Sequence, residues 1–192
     1  MARLPGINLH VLLAKAIEAA FLASEEILAI YATEFEVEKK ADRSPVTLAD
    51  KNANKVIEEC LSVFEIPMIS EEGAETSFEK RKHWEEYWIV DPLDGTKEFV
   101  SRNGEFTVNI ALVNEQGPIL GVIYSPVKDL LYFTMGRGAY KLEKARGSDI
   151  TSEAIRLPLK KTQRPFTIVS SRSHKNPLTE KYIREATVRH PD

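Results

Sequence analysis

Apolar residues recur near the N-terminus at alternating steps of four and three: Leu9, Leu13, Ala16, Ala20, Ala23, Ile27 and Ile30. That spacing draws one apolar stripe along a long helix and leaves Lys15, Glu18 and Glu25 on other faces. The pattern then changes. Phe35 to Lys40 reads as a short strand, Lys40 to Val46 as a polar loop, and Thr47-Leu48-Ala49-Asp50 opens a second helix running to about Phe64. Ile66 to Ile69 is a brief apolar strand ending at Ser70-Glu71-Glu72-Gly73. The charged residues 74–86 read as a solvated helix or loop, and the apolar segment Tyr87 to Val90 as a buried strand.

A meander follows. Thr107 to Val113 alternates, Asn114 to Gly117 turns, and Ile119 to Tyr124 returns. Ser125 to Asp129 turns again before strands at Leu130 to Thr134 and Ala139 to Leu142. Helices first and an antiparallel-leaning sheet afterwards predict a layered α+β fold. Gly136 and Gly138 lack the third glycine of a dinucleotide fingerprint. Residues 143–165 are charged, carry Pro158 and Pro165, and read as a linker. A strand at Phe166 to Val169, a loop at Ser170 to His174 and a helix at Pro177 to Glu185 are expected beyond it. The predicted domains are therefore 1–163, an α+β unit, and 164–192, the start of a second α/β domain. A segment below about 40 residues rarely supports its own core, so this second domain is expected to be incomplete.

Hydrophobic content of 43% and charged content of 29% are those of an ordinary globular chain. A net charge of −3 supplies no global positive field, which argues against a nucleic-acid partner. Any anionic substrate must be held by local cations. Cys60 is the only cysteine, so there is no disulfide framework and no paired-thiol metal site, and its apolar flanks suggest a buried hydrophobe. Charges within the N-terminal apolar stretch exclude a signal peptide and a membrane span there. A cytoplasmic setting is the expectation.

The run Trp88-Ile89-Val90-Asp91-Pro92-Leu93-Asp94-Gly95-Thr96-Lys97-Glu98-Phe99 carries the chemistry. Pro92 cannot donate to a continuing ladder, so the chain is expected to turn there. Such a turn can aim Asp91, Asp94 and the Leu93 carbonyl at one point. Gly95 relaxes the backbone, and Thr96 can cap a helix whose N-terminus suits a phosphate. Oxygen ligands of this kind select a hard cation such as Mg2+. Asp50 and Glu71 also sit at element ends, and acids gathered unpaired would repel one another unless a divalent ion neutralised them. Bland readings stand beside these. The Asp91 to Gly95 segment can be a surface turn, Asp50 the last member of a capping box begun by Thr47, and Glu71 an ordinary loop acid. Lys97 and Arg102 flank the proposed phosphate site and can equally be solvated charges.

Taken in order, Ser44-Pro45-Val46-Thr47-x-x-Asp50, Ser70-Glu71-Glu72 and Trp88 to Thr96 resemble the inositol monophosphatase-like family of Mg2+-dependent, lithium-sensitive phosphatases. Gly95 to Phe99, followed by Arg102 to Ala111, looks like its 3'(2'),5'-bisphosphate nucleotidase branch, especially the bacterial form. Ser171-Arg172-Ser173-His174 is similar to a segment of that branch that contacts adenylate. The resemblance implies a layered sandwich of the inositol monophosphatase and sugar phosphatase type, with two or three Mg2+ ions. Glu71, Asp91 and the Leu93 carbonyl would hold one ion, and Asp91 and Asp94 a second. Asp50 and Thr96, assisted by Glu71, would orient and deprotonate the attacking water. Glu71, Leu93, Asp94, Gly95, Thr96, Ser171 and His174 would contact substrate. It further implies a small nucleotide as substrate, a homodimer, and peripheral contact with the inner face of the cell membrane.

The implied reaction removes the 3'-phosphate of 3'-phosphoadenosine 5'-phosphate (PAP), giving AMP and phosphate, within sulfur assimilation. An inositol or sugar monophosphatase is the alternative within enzymes, and a non-catalytic truncated remnant the alternative outside them. Family members carry a Trp-Asp-x-Ala-type motif in the second domain whose aspartate completes a metal site, and this chain has none. Losing even an indirect metal partner costs about 10–100-fold. The 192-residue form is thus expected to turn over PAP at least about 10-fold more slowly than a chain extended by that motif. A phosphate-release assay on the two forms checks this, and equal rates refute it.

Overall fold

In the computed structural model, helix α1 spans Leu9–Tyr31 and buries the stripe expected of it, Leu13, Ala16, Ala20, Ala23 and Ile27 included. Residues 8–33, 37–39, 45–135, 138–159, 166–171 and 176–190 are described. Asn8 caps α1, its Oδ1 accepting from the His10 backbone N–H at 2.9 Å. A two-stranded antiparallel ladder, β1 (Val37–Lys39) with β2 (Pro45–Thr47), precedes helix α2 (Leu48–Leu61). Pro45 and Val46 therefore belong to a strand and not to the expected loop. A strand of three residues is too short to show alternation in a sequence. Helix α2 packs along α1, and its Ala49, Ala53, Ile57 and Leu61 are buried.

Beneath these helices lies a seven-stranded sheet: β3 (Met68–Ser70), β4 (Glu86–Asp94), β5 (Thr107–Asn114), β6 (Gly117–Ser125), β7 (Leu130–Met135), β8 (Gly138–Glu143) and β9 (Ile155–Leu157). The strands run in that spatial order. Strand β3 is parallel to β4, and every later neighbour is antiparallel. The single turn of α3 (Phe78–Arg81) fills part of the β3–β4 crossover. One sheet face carries Trp88, Val90, Val108, Ile110, Leu112, Leu120, Val122, Tyr124, Leu131, Phe133 and Leu142, all buried in one cluster with α1 and α2. Each such large side chain contributes about 1.5–3 kcal/mol by leaving water. The opposite face is more open, with Ile89, Ile123 and Tyr132 exposed.

A polar lock joins α1 to the sheet. Arg146 donates from Nη2 to Ser24 Oγ at 2.9 Å and from Nε to Tyr124 Oη at 2.9 Å. Tyr124 donates to Asp129 Oδ1 at 2.8 Å, and the Arg146 backbone N–H reaches the same oxygen at 3.1 Å. Burial first, then the Asp129 carboxylate, push the Tyr124 phenol upward in pKa, so it stays a donor. Ser24 in turn donates to the Phe21 carbonyl at 2.6 Å.

The expected linker at 143–165 holds more structure than its charge suggests. Helix α5 (Ile150–Glu153) is capped by Asp149, and β9 closes the sheet against β8. A three-residue edge strand carrying Arg156 has no alternation to read. The chain divides into compact units Met1–Leu157 and Pro158–Asp192. In the second, Phe166 to Val169 forms no strand among the described residues; Phe166 instead stacks on His190, ring centroids 3.9 Å apart. Helix α6 (Pro177–Arg189), capped by Asn176, runs beyond the expected Glu185.

Tyr124→Phe removes two hydrogen bonds of the lock, one of them to a guanidinium, and should cost about 1.5–3 kcal/mol. Urea unfolding checks it: the midpoint should fall with the slope unchanged. A loss under about 0.5 kcal/mol would mean the lock contributes little.

Candidate active site

The site grows from the ends of β3 and β4. These strands are parallel, with Ser70 level with Val90, and the Glu71 N–H donates to the Val90 carbonyl at 3.2 Å. One step further, Glu71 leaves the end of β3 beside Asp91, which is still within β4. The chain does not turn at Pro92. Strand β4 continues to Asp94, and the ladder to β5 pairs Asp91 with Asn109 and Asp94 with Thr107. Strand β4 takes three steps there while β5 takes two, which is a bulge. Pro92 sits inside it, where no ladder bond is asked of it.

The bulge has a geometric consequence. Residues three apart on a regular strand face opposite ways, but partners of Asn109 and Thr107 share one face. Asp91 and Asp94 therefore lie together on the open side of the sheet. Pro92 and Leu93 are buried, with Leu93 at 2% exposure. Asn109 Nδ2 donates to Asp94 Oδ2 at 3.1 Å.

Gly95 follows with φ +93, and a Cβ there would stand 3.1 Å from the Glu105 carbonyl oxygen. Only glycine takes that conformation without strain. Gly95 is also the N-cap of α4 (Thr96–Val100), so Thr96 is the first helical residue and not the expected cap. Its Oγ1 donates to the Leu93 carbonyl at 3.3 Å, tying that oxygen to the helix start. Phe99 anchors α4 in an aromatic triad with Tyr31 and Phe106, centroids 5.1–5.2 Å apart. Arg102 donates to the carbonyls of Tyr31 and Thr33 and lies over the Tyr31 ring, a cation at the C-terminal end of α1. Its charge stabilises α1 and is neither simply solvated nor aimed at a phosphate.

Asp50 lies in the first turn of α2 and is buried, at 4% exposure. One turn on, Asn54 Oδ1 accepts from Ser70 Oγ at 2.5 Å while its Nδ2 donates to Glu58 Oε1 at 3.0 Å. This strut ties the helix of Asp50 to the strand end of Glu71. Glu71 and Asp94 are exposed, and Asp91 is half-buried. Ser171 is exposed in the second unit, and His174 lies outside the described residues.

The fold thus brings Asp91, Asp94 and Asn109 to one face, sets Glu71 at the neighbouring strand end, and links Asp50 to it through Asn54. Among the described residues no group of three or more His, Cys, Asp or Glu side chains is assembled that could hold a metal ion. The donor chemistry, carboxylates with one backbone carbonyl, is nonetheless the oxygen set a hard cation takes. Sequence reasoning gave no role to Asn54, Ser70 or Asn109. The four-residue step from Asp50 to Asn54 is the signal for one; a single Asn in an alternating strand is none.

A layered α+β domain with acids at the ends of adjacent strands is the class this geometry defines. The model of the inositol monophosphatase family matches residues 8–191, and the chain belongs to that family. That family is metal-dependent. The chain is similar to the 3'(2'),5'-bisphosphate nucleotidase CysQ of Escherichia coli O157:H7, 43% identical over 167 residues, covering 85% of this chain and 64% of that one. It is 42% identical to the Salmonella typhimurium protein of the same name, with the same coverage. The crystal structure of CysQ from Bacteroides thetaiotaomicron superposes with a TM-score of 0.81 at 43% identity, over 95% of this chain and 71% of that one. The extragenic suppressor protein SuhB of Bartonella henselae superposes with a TM-score of 0.61 at 29% identity, over 69% and 52%. The chain spans 64% of the length of the Escherichia coli relative. Among the described residues no helix is long and apolar enough to cross a membrane.

Ser70→Ala and Asn54→Ala should be coupled in stability. A double-mutant cycle is expected to return about 0.5–3 kcal/mol of interaction energy. Additive single effects would remove the strut from the account.

Proposed function

We propose that this chain carries the catalytic half-site of a Mg2+-dependent phosphatase that hydrolyses the 3'-phosphate of PAP to AMP and phosphate. Its place is PAP recycling in sulfur assimilation, in a cytoplasmic setting, and the working form is a homodimer. The observation that carries the reading is the bulge of β4, which sets Asp91 and Asp94 on one face beside the strand end of Glu71. The CysQ relatives support the nucleotide as substrate.

Glu71, Asp91, Asp94 and the Leu93 carbonyl would hold Mg2+, whose contribution is to stabilise negative charge on the phosphoryl group and to acidify water. The rest falls to the chain. Asp50, a buried carboxylate, is the proton acceptor, and Thr96 Oγ1 helps to orient the water. With its hydrogen given to the Leu93 carbonyl, the Thr96 hydroxyl can act toward the water only as an acceptor. The N-terminus of α4 behind Gly95 favours the anionic phosphate. In-line displacement then needs little from the protein beyond orientation and charge. Ser171 and His174 are proposed to contact the nucleoside.

Calorimetry tests the reading on the 192-residue protein. Mg2+ should bind, PAP should tighten its binding, and inositol 1-phosphate should do so less. Asp91→Asn should weaken Mg2+ binding by at least about 10-fold. Equal tightening by both phosphates would favour the inositol or sugar phosphatase, and no effect of PAP would sink the nucleotidase reading.

A further inference from the structure

Asn109 is placed against both acids of the bulge. It stands directly across the ladder from Asp91, and its Nδ2 donates to Asp94 Oδ2 at 3.1 Å. An ionised carboxylate only accepts, so the amide must face Asp94 with its nitrogen. The other end, Oδ1, is buried and accepts from nothing among the described residues.

That combination is poor for stability. A buried acceptor without a partner is costly, and asparagine is disfavoured within strands. On the same face Asp91 stands opposite it on β4 and Thr107 two residues before it on β5, whereas Ala111 along β5, Ile89 on β4 and Ile123 on β6 are apolar. The fold alone would be better served at 109 by valine. The benefit of the amide lies with Asp94.

We propose that Asn109 is a positioning residue. Its amide N–H holds the Asp94 carboxylate in the orientation that Mg2+ binding requires, and the fold gives up some stability for it. This rests on the metal reading above. A charge-assisted hydrogen bond to one carboxylate oxygen fixes rotation of the group and leaves the other oxygen to the cation. Partners of this kind set metal affinity by about 10–100-fold.

The test is Mg2+ calorimetry paired with thermal unfolding on the full chain, for the parent, Asn109→Val, Asn109→Ala and Ile123→Ala. Ile123 is the cross-strand neighbour of Asn109 in β6 and makes no part of the site, so its variant controls for general disturbance of the sheet. Asn109→Val should bind Mg2+ about 10–100-fold more weakly with a melting temperature equal to the parent's or higher. Asn109→Ala should show the same weakening, and Ile123→Ala should bind as the parent does. Unchanged affinity in both Asn109 variants overturns the proposal, as does equal weakening in Ile123→Ala. Weakening accompanied by a lower melting temperature in both Asn109 variants makes the residue structural and also overturns it. Should the parent itself fail to bind Mg2+, the metal reading falls first and this proposal with it, an outcome distinct from the others.

Discussion

One surplus residue in β4 decides the layout of the site. Between Asp91 and Asp94 the strand spends three residues against two on β5. In an unbroken ladder these aspartates would face opposite sides, one toward the helices and one toward solvent. The bulge returns both to the open face and turns Leu93 into the core. It also gives Pro92 a place where its missing N–H does no harm. Everything downstream inherits the frame: Gly95 takes positive φ, α4 starts at Thr96, and the Leu93 carbonyl is caught by Thr96 Oγ1.

A frame of this kind is useful only when its supports are stiff. The aromatic triad of Tyr31, Phe99 and Phe106 fixes α4, and Arg102 fastens the same region to the end of α1. The Asn54 to Ser70 hydrogen bond fixes α2 against β3. Further along the sheet, Arg146, Tyr124, Asp129 and Ser24 bind the helical layer to β6 and its turn. Buried polar networks of this sort stabilise when every member is satisfied. The exposed acids, Glu71 and Asp94, thus project from a rigid base. Such a base suits the proposed phosphoryl transfer, because positioning charge is most of what that reaction asks of a protein.

Hydrophobic periodicity made most of the first unit legible. The stripe from Leu9 to Ile30 is α1, and the alternation between Thr107 and Leu142 is the β5–β8 meander, with its turns where the polar residues fall. Short elements escaped it. Strands β2 and β9 have three residues each, and α5 four, so none spans a period long enough to read. Pro92 misled for a related reason. Its missing donor argues for a turn only when the strand is regular, and a bulge removes that demand.

The motif residues themselves were fixed by chain order: Asp50, Glu71, Asp91, Asp94 and Thr96 stand out by type and spacing, and so does the oxygen chemistry they imply. Their mutual placement was not. Which face Asp94 occupies depends on pairing with β5, a strand more than ten residues later, and a one-residue slip reverses it. The roles of Asn54 and Asn109 depend likewise on partners 16 and 15 residues away in the chain. Local periodicity reports which side of an element is apolar, whereas long-range register, set only as strands pair, reports who meets whom.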